Sequence, residues 1–178
     1  MKILKIIGAV LVSLVAIYFL IISLMPSKVY VERSIVVNAS QEDIFNYLED
    51  LRNFQEWAPW AEIDPNTKYS YEGPLKGVGT QMNWDSDQRG MGYGSLWIDS
   101  VTPNEQINLK IQLPDFDKPA DMSFYFTKEG DSTRISWDFQ TDFYGFWKFY
   151  VQWTKEEFEP DYEKGLLNIK KVLEGRSK

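Results

Sequence analysis

The chain contains no histidine and no cysteine. That excludes a Ser-His-Asp triad, a cysteine nucleophile and a zinc site of the usual Cys/His type. Any general acid–base work falls to Asp, Glu, Lys or Tyr. Basic residues are scarce as well: 19 Lys and Arg stand against 26 Asp and Glu, a net charge of −7. With Lys2 and Lys5 set aside the balance is 17 against 26, so the rest carries about −9. Nucleic acid and anionic lipid both reward clustered Lys and Arg, so neither is an expected electrostatic partner. A phosphate loop is missing too. Arg89-Gly90-Met91-Gly92-Tyr93-Gly94 lacks the G-x-G-x-x-G spacing, and the Leu96-Trp97-Ile98-Asp99 that follows reads as strand rather than helix. No cofactor and no metal is expected.

What the chain does have is one long apolar run. Ile6 to Met25 is twenty residues without a charge, bracketed by Lys2 and Lys5 before it and Lys28 after it. As a helix it extends roughly 30 Å, the thickness of a bilayer's hydrocarbon core. Pro26 follows, where a helix is expected to stop. A cleaved signal peptide calls for a shorter apolar region and small residues at a cleavage site, and no A-x-A-like site lies near Pro26. A helix packed on the core of a domain this small calls for a polar face. The expected organisation is therefore a transmembrane anchor with short flanks over residues 1–28 and one domain over 29–178. A short amino-terminal tail normally stays in the cytoplasm, which puts the domain outside. The flanking charges are nearly level, so they favour that orientation only weakly.

Aromatics make up 16% of the chain, with 7 Trp, 10 Tyr and 11 Phe. Large rings are a common lining of ligand pockets, and equally a common filling of cores. Val29–Val37 is β-branched and reads as a first strand. Ser40 caps a short helix carrying Ile44, Phe45 and Leu48, and Leu51, Phe54 and Trp57 suggest a second, ended by Ala58-Pro59. About six short strands follow, separated by turn signals, up to Gln140. The tail from Asp161 to Leu173 is helical, with Tyr162, Leu166 and Ile169 on one stripe and Pro160 in its first turn. Strands joined by tight turns are antiparallel, and a sheet with one apolar face needs a cover. The expected fold class is α+β, a curved antiparallel sheet of about 6–7 strands wrapped on the C-terminal helix.

These pieces occur in a familiar order. Glu32-Arg33-Ser34-Ile35 enters the first strand, and Asn38-Ala39-Ser40-Gln41-Glu42-Asp43-Ile44-Phe45 opens a helix. The Trp57-Ala58-Pro59-Trp60 corner, Tyr71-Glu72-Gly73, Gly77-Val78-Gly79, Pro103-Asn104-Glu105 and Tyr162-Glu163-Lys164-Gly165-Leu166-Leu167-Asn168-Ile169-Lys170 complete it. Over roughly residues 29–174 the chain resembles the SRPBCC superfamily, the START/Bet v 1-like helix-grip proteins. It is most similar to the bacterial polyketide cyclase/dehydrase-like branch, many members of which begin with a membrane anchor. The resemblance implies a helix-grip fold. Superfamily members bind lipids, sterols, polyketides and hormones, and only some catalyse, so the likeness does not choose an activity.

Alternation along strands groups the candidate ligand-binding side chains. Met82 with Trp84, Tyr93 with Trp97, Phe124 with its strand neighbours, and Trp137 with Phe139 each share a face. Trp57 and Trp60 are expected near the mouth, Tyr162 on the helix stripe, and Gly165 where the helix approaches the sheet closely. Each ring either lines a pocket or simply packs the core. Arg33 shares parity with Val29, Val31, Ile35 and Val37, so it either pairs inside with a carboxylate or a ligand's acid group, or reaches to the rim. Glu72, Asp85 and Asp99 are acid–base candidates if buried and solvated strand-end residues otherwise. No catalytic residue is assigned. The expected function is membrane-tethered, non-catalytic binding of a hydrophobic small molecule or lipid, with the membrane engaged through residues 6–25. The alternatives are a polyketide cyclase or dehydratase-like enzyme, and a protein-interaction or stress-response module with a filled cavity.

Overall fold

The computed structural model describes residues 2–114 and 116–176. Helix α1, Lys2–Leu24, is long and apolar enough to cross a membrane, and its side chains are almost all exposed. Strand β1, Lys28–Val37, is followed by α2, Gln41–Leu48, and α3, Phe54–Trp57, with 3-10 turns at Leu51–Asn53 and Pro59–Glu62. Ser40 caps α2 as its sequence suggests, its hydroxyl accepting from the Asp43 N–H at 3.0 Å. Strands β2 Lys68–Glu72, β3 Gln81–Asp85, β4 Tyr93–Thr102, β5 Gln106–Gln112, β6 Ala120–Glu129 and β7 Ser132–Asp142 come next. A 3-10 segment, Gly145–Tyr150, leads into α4, Val151–Arg176.

All seven strands form one antiparallel sheet in the order β1-β7-β6-β5-β4-β3-β2. The chain's first and second strands are thus the two edges, and α2 and α3 carry the chain between them. The terminal helix α4 packs along β1 and against β7, and its Tyr162, Gly165, Leu166, Ile169 and Leu173 are buried. The α+β helix-grip architecture expected from the sequence is the one found. Side-chain bonds lock α4 in place: Asn168 Nδ2 donates to the Trp57 carbonyl at 3.1 Å, and Lys170 Nζ to that of Val36 at 2.8 Å.

One expectation is corrected. The helix does not begin at Asp161 but at Val151, and Pro160 lies inside it. Proline removes the N–H that would bond the Glu156 carbonyl, a loss that is cheap where both residues face water, and both are exposed. Buried Val151 and Thr154 and half-buried Phe158 give the first turns their own packed stripe, which carries the helix through the proline.

Candidate functional site

The strand register decides which side chains enter the space between sheet and α4. Trp137 of β7 lies opposite Arg33 of β1 and Phe124 of β6, and Phe139 lies opposite Val31 and Met122. Met82 and Trp84 of β3 face Leu96 and Gly94 of β4. Of these side chains Met82, Trp84, Phe124, Trp137 and Phe139 are all buried.

Trp137, with 0% exposure, is the hub. Its ring stacks on Tyr162 of α4 at 3.8 Å between centroids and on Phe124 at 5.2 Å. Trp57 meets it edge-on at 5.2 Å and Trp60 at 6.0 Å. Gly165 makes the stack possible, because a Cβ at that position would lie 2.8 Å from Trp137 Cζ3. The indole Nε1 of Trp137 is buried and has no hydrogen-bond partner among the described residues. Leaving such a donor unpaired costs about 1–3 kcal/mol. Trp84 contrasts with it, since its Nε1 donates to the Met91 carbonyl at 3.3 Å.

A second ring cluster continues the first toward the end of the sheet nearest α1. Phe139 meets Phe158 of α4 at 5.2 Å and Phe116 at 6.3 Å, and Phe116 meets Phe143 at 6.1 Å. Sequence reasoning left out Phe116, Phe143 and Phe158. Phe158 stands four residues before Tyr162 and extends its stripe, a signal masked by reading Pro160 as a helix start.

The remaining candidates lie at the rim or outside. Trp60 is half-buried, with its Nε1 donating to Asp161 Oδ2 at 2.9 Å. Arg33 is on the inward parity but reaches the edge between β1 and α4. There its Nη2 pairs with Glu159 Oε2 at 2.6 Å, and Nη1 donates to the Glu32 carbonyl at 2.8 Å. Tyr93 and Trp97 sit on the opposite face of the sheet, Tyr93 at 62% exposure and Trp97 half-buried. The other parity of β4 turns inward, where Leu96 and Ile98 are buried and Gly94 makes room for the ring of Trp84. Gly94 opposite a tryptophan was the available signal.

Titratable groups are few inside. Burial holds the Tyr162 hydroxyl well above its ordinary value, so it stays a neutral phenol. Glu72, Asp85 and Asp99 are exposed. Asp138, on the outer face, has its carboxyl raised by burial and then by Glu32 across the strand pair. No cluster of three or more metal-ligating side chains occurs among the described residues. Two surface depressions open away from the rings. One, of about 240 Å³, runs between Asp64 and the Asp85–Gln88 turn, and the other, of about 300 Å³, lies between Ala39–Gln41 and the β6–β7 turn.

The fold can now be compared with known proteins. The family model described as "Polyketide cyclase / dehydrase and lipid transport" matches residues 28–174. The chain belongs to that family. Among solved structures this family member is similar to the protein of unknown function SA2116 from Staphylococcus aureus, with a TM-score of 0.67 and 14% identity over 84% of this chain and 96% of that one. It is similar to the di-domain ARO/CYC StfQ of the steffimycin biosynthetic pathway at a TM-score of 0.67 and 14% identity, covering 85% of this chain but 52% of that one. The Aha1 dimer of Colwellia psychrerythraea matches at a TM-score of 0.56 and 16% identity, over 82% of this chain and 96% of that one. At such identities the likeness establishes the shared fold. No curated protein matches the sequence.

Proposed function

We propose that this family member binds a hydrophobic small molecule or lipid between the sheet and α4, without catalysis, while α1 tethers it to a membrane. The observation that carries the reading is the unpartnered Nε1 of Trp137 inside a mainly apolar, aromatic interior. A ligand with an apolar body and one acceptor oxygen suits that surrounding. It would satisfy the indole donor and exchange ring-on-ring contacts for ring-on-ligand contacts. Room for it comes from moving rings such as Phe158 and Phe116, which stand at the end of the interior nearest α1. Tethering by α1, with the amino terminus in the cytoplasm and the domain outside, would hold that end within reach of molecules dissolved in the bilayer. The ligand-binding set is then Trp57, Trp60, Phe124, Trp137, Phe139, Tyr162 and Gly165, with Met82 and Trp84 deeper along the sheet and Arg33 at the rim.

The tight ring contacts also favour a second reading, a protein-interaction module whose interior is simply filled. A cyclase or dehydratase finds less support. Such chemistry wants an acid–base pair facing the substrate, and the candidate carboxylates Glu72, Asp85 and Asp99 are exposed.

Native mass spectrometry of the full chain, released gently from its host membrane, tests the proposal. A reproducible added mass that disappears on organic extraction supports ligand carriage, and its identity names the ligand class. A clean apo mass with no uptake from added host lipid extract overturns carriage in favour of the filled module.

A further inference from the structure

The surface beside the end of α1 is as aromatic as the interior. Between Phe143 and Trp153 the only charged residue is Lys148, in a chain of net charge −7. Tyr144, Phe146, Trp147, Phe149, Tyr150 and Trp153 are between 40% and 64% exposed. They form one patch rather than scattered rings. Phe146 meets Phe149 at 5.6 Å and Tyr150 at 5.9 Å, and Tyr150 meets Trp147 at 5.6 Å and Trp153 at 6.3 Å. Contiguous exposed apolar surface of this kind marks an interaction site.

Its position identifies what it meets. Lys148 Nζ donates to the carbonyls of Ile22 at 3.0 Å and Met25 at 3.3 Å, at the C-terminal end of α1, where helix carbonyls lack intrahelical partners. That contact levels the patch with the point where the apolar helix ends. Trp and Tyr, apolar in body and polar at one tip, are the side chains that collect where hydrocarbon gives way to headgroups.

We propose that Tyr144–Trp153 is a membrane-seating surface, its rings lying in the lipid interface of the same bilayer that α1 crosses. The inference rests on reading α1 as a membrane span. Seating there fixes the start of α4 and the nearby Phe143–Phe116–Phe158 cluster against the bilayer, which gives an apolar ligand a path from lipid to the interior without crossing water. The lack of Asp and Glu inside the patch fits a surface that meets headgroups, and its dependence on rings rather than Lys predicts little preference for anionic lipid.

The chain's lack of cysteine makes the test direct. Single-cysteine variants Ser13→Cys, Trp147→Cys and Asp131→Cys of the full chain are spin-labelled and reconstituted in phosphatidylcholine vesicles. Collision rates with oxygen and with a water-soluble nickel chelate then report depth. Asp131 lies in the turn at the far end of β7, whose eleven residues run away from α1 over roughly 35 Å. The expected ratio of oxygen to nickel collisions is highest at position 13, intermediate at 147 and lowest at 131. If position 13 is deep while 147 matches 131, the seating surface is overturned and the span stands. If 147 is shielded from both quenchers, protein covers the patch, for instance a second copy, and the proposal fails. If position 13 is itself aqueous, the span reading fails and takes the seating surface with it. A Phe146→Ser/Trp147→Ser/Trp153→Ser variant labelled at Tyr150→Cys is expected to shift toward the aqueous ratio. Retention of an interfacial depth there would overturn the role of the rings.

Discussion

Gly165 lies flat against Trp137, with a position-165 Cβ placed 2.8 Å from Trp137 Cζ3 and 3.4 Å from Pro59 Cδ. Alanine would gain about 1 kcal/mol of helix propensity there. It would also overfill a site whose ring is buried and stacked, at a cost of about 1–3 kcal/mol. Gly165→Ala is therefore expected to be net destabilising by about 1 kcal/mol, a fall of roughly 2–4 °C in melting temperature. Gly175 is the control, because nothing lies within 4 Å of its Cβ direction. Gly175→Ala should be neutral or slightly stabilising. Equal stabilisation by both substitutions in thermal melts of the full chain would mean that α4 does not press on Trp137.

Asp138 supplies a pH dependence. Burial, and then the charge of Glu32, raise its carboxyl above the ordinary value of 3.8, partly offset by hydrogen bonds from Tyr125 and the Ser123 backbone. A carboxyl whose folded pKa lies above its unfolded one disfavours folding when ionised. The penalty is absent below the unfolded value, grows as pH climbs toward the folded value, and is complete above it. Asp138→Asn keeps one acceptor oxygen and removes the charge. It should melt above the parent at neutral pH, and the gap should close as pH falls below 3.8. A gap that widens on acidification would contradict the raised pKa.

The fold was readable because its signals are local and redundant. Ser40 caps α2, turn residues separate each consecutive pair of strands from β2 to β7, and the stripe of Tyr162, Leu166 and Ile169 marks the cover for the sheet. The interior was readable in part. Alternation groups Trp137 with Phe139, but it cannot say which of two parities points inward, and on β4 that ambiguity left Tyr93 and Trp97 among the candidates. The first turns of α4 were hidden because Pro160 is locally a helix breaker, and the packing of Val151, Thr154 and half-buried Phe158 that carries the helix through it is visible only in three dimensions. The exposed ring patch was equally hidden. Its aromatic sequence looks like core, and only the contact of Lys148 with the end of α1 shows which surface it belongs to.

Arg33 has two roles to separate. Its ion pair with Glu159 joins side chains that are 36% and 42% exposed, so solvent screens it. A double-mutant cycle of Arg33→Met and Glu159→Gln, followed by urea unfolding, should give a coupling of about 0.2–1 kcal/mol that shrinks at high salt. If the bound molecule carries an acid group, Arg33→Met should weaken its uptake while stability hardly changes. A coupling well above that range would instead make Arg33 a structural strut between β1 and α4.

Gly94 offers the strictest check on the site's inner wall. It lies opposite Trp84 across the β3–β4 pair, and a Cβ there would run into Trp84 Cζ2 and come within 2.8 Å of the Gln112 carbonyl oxygen. The first contact can be relieved by moving or trimming the ring. The second is with backbone held in the β4–β5 ladder and cannot. Gly94→Ala is expected to destabilise by about 2–3 kcal/mol, at the upper end of what overpacking usually costs. Trp84→Leu alone should also destabilise, because it empties part of the core. Combined, the two should cost less than their sum, since the smaller side chain frees the space that alanine needs, yet more than Trp84→Leu alone because the Gln112 contact persists. Strict additivity would show that the Trp84 ring does not lie over β4, and the inward parity of Leu96 and Ile98 would then need another cause.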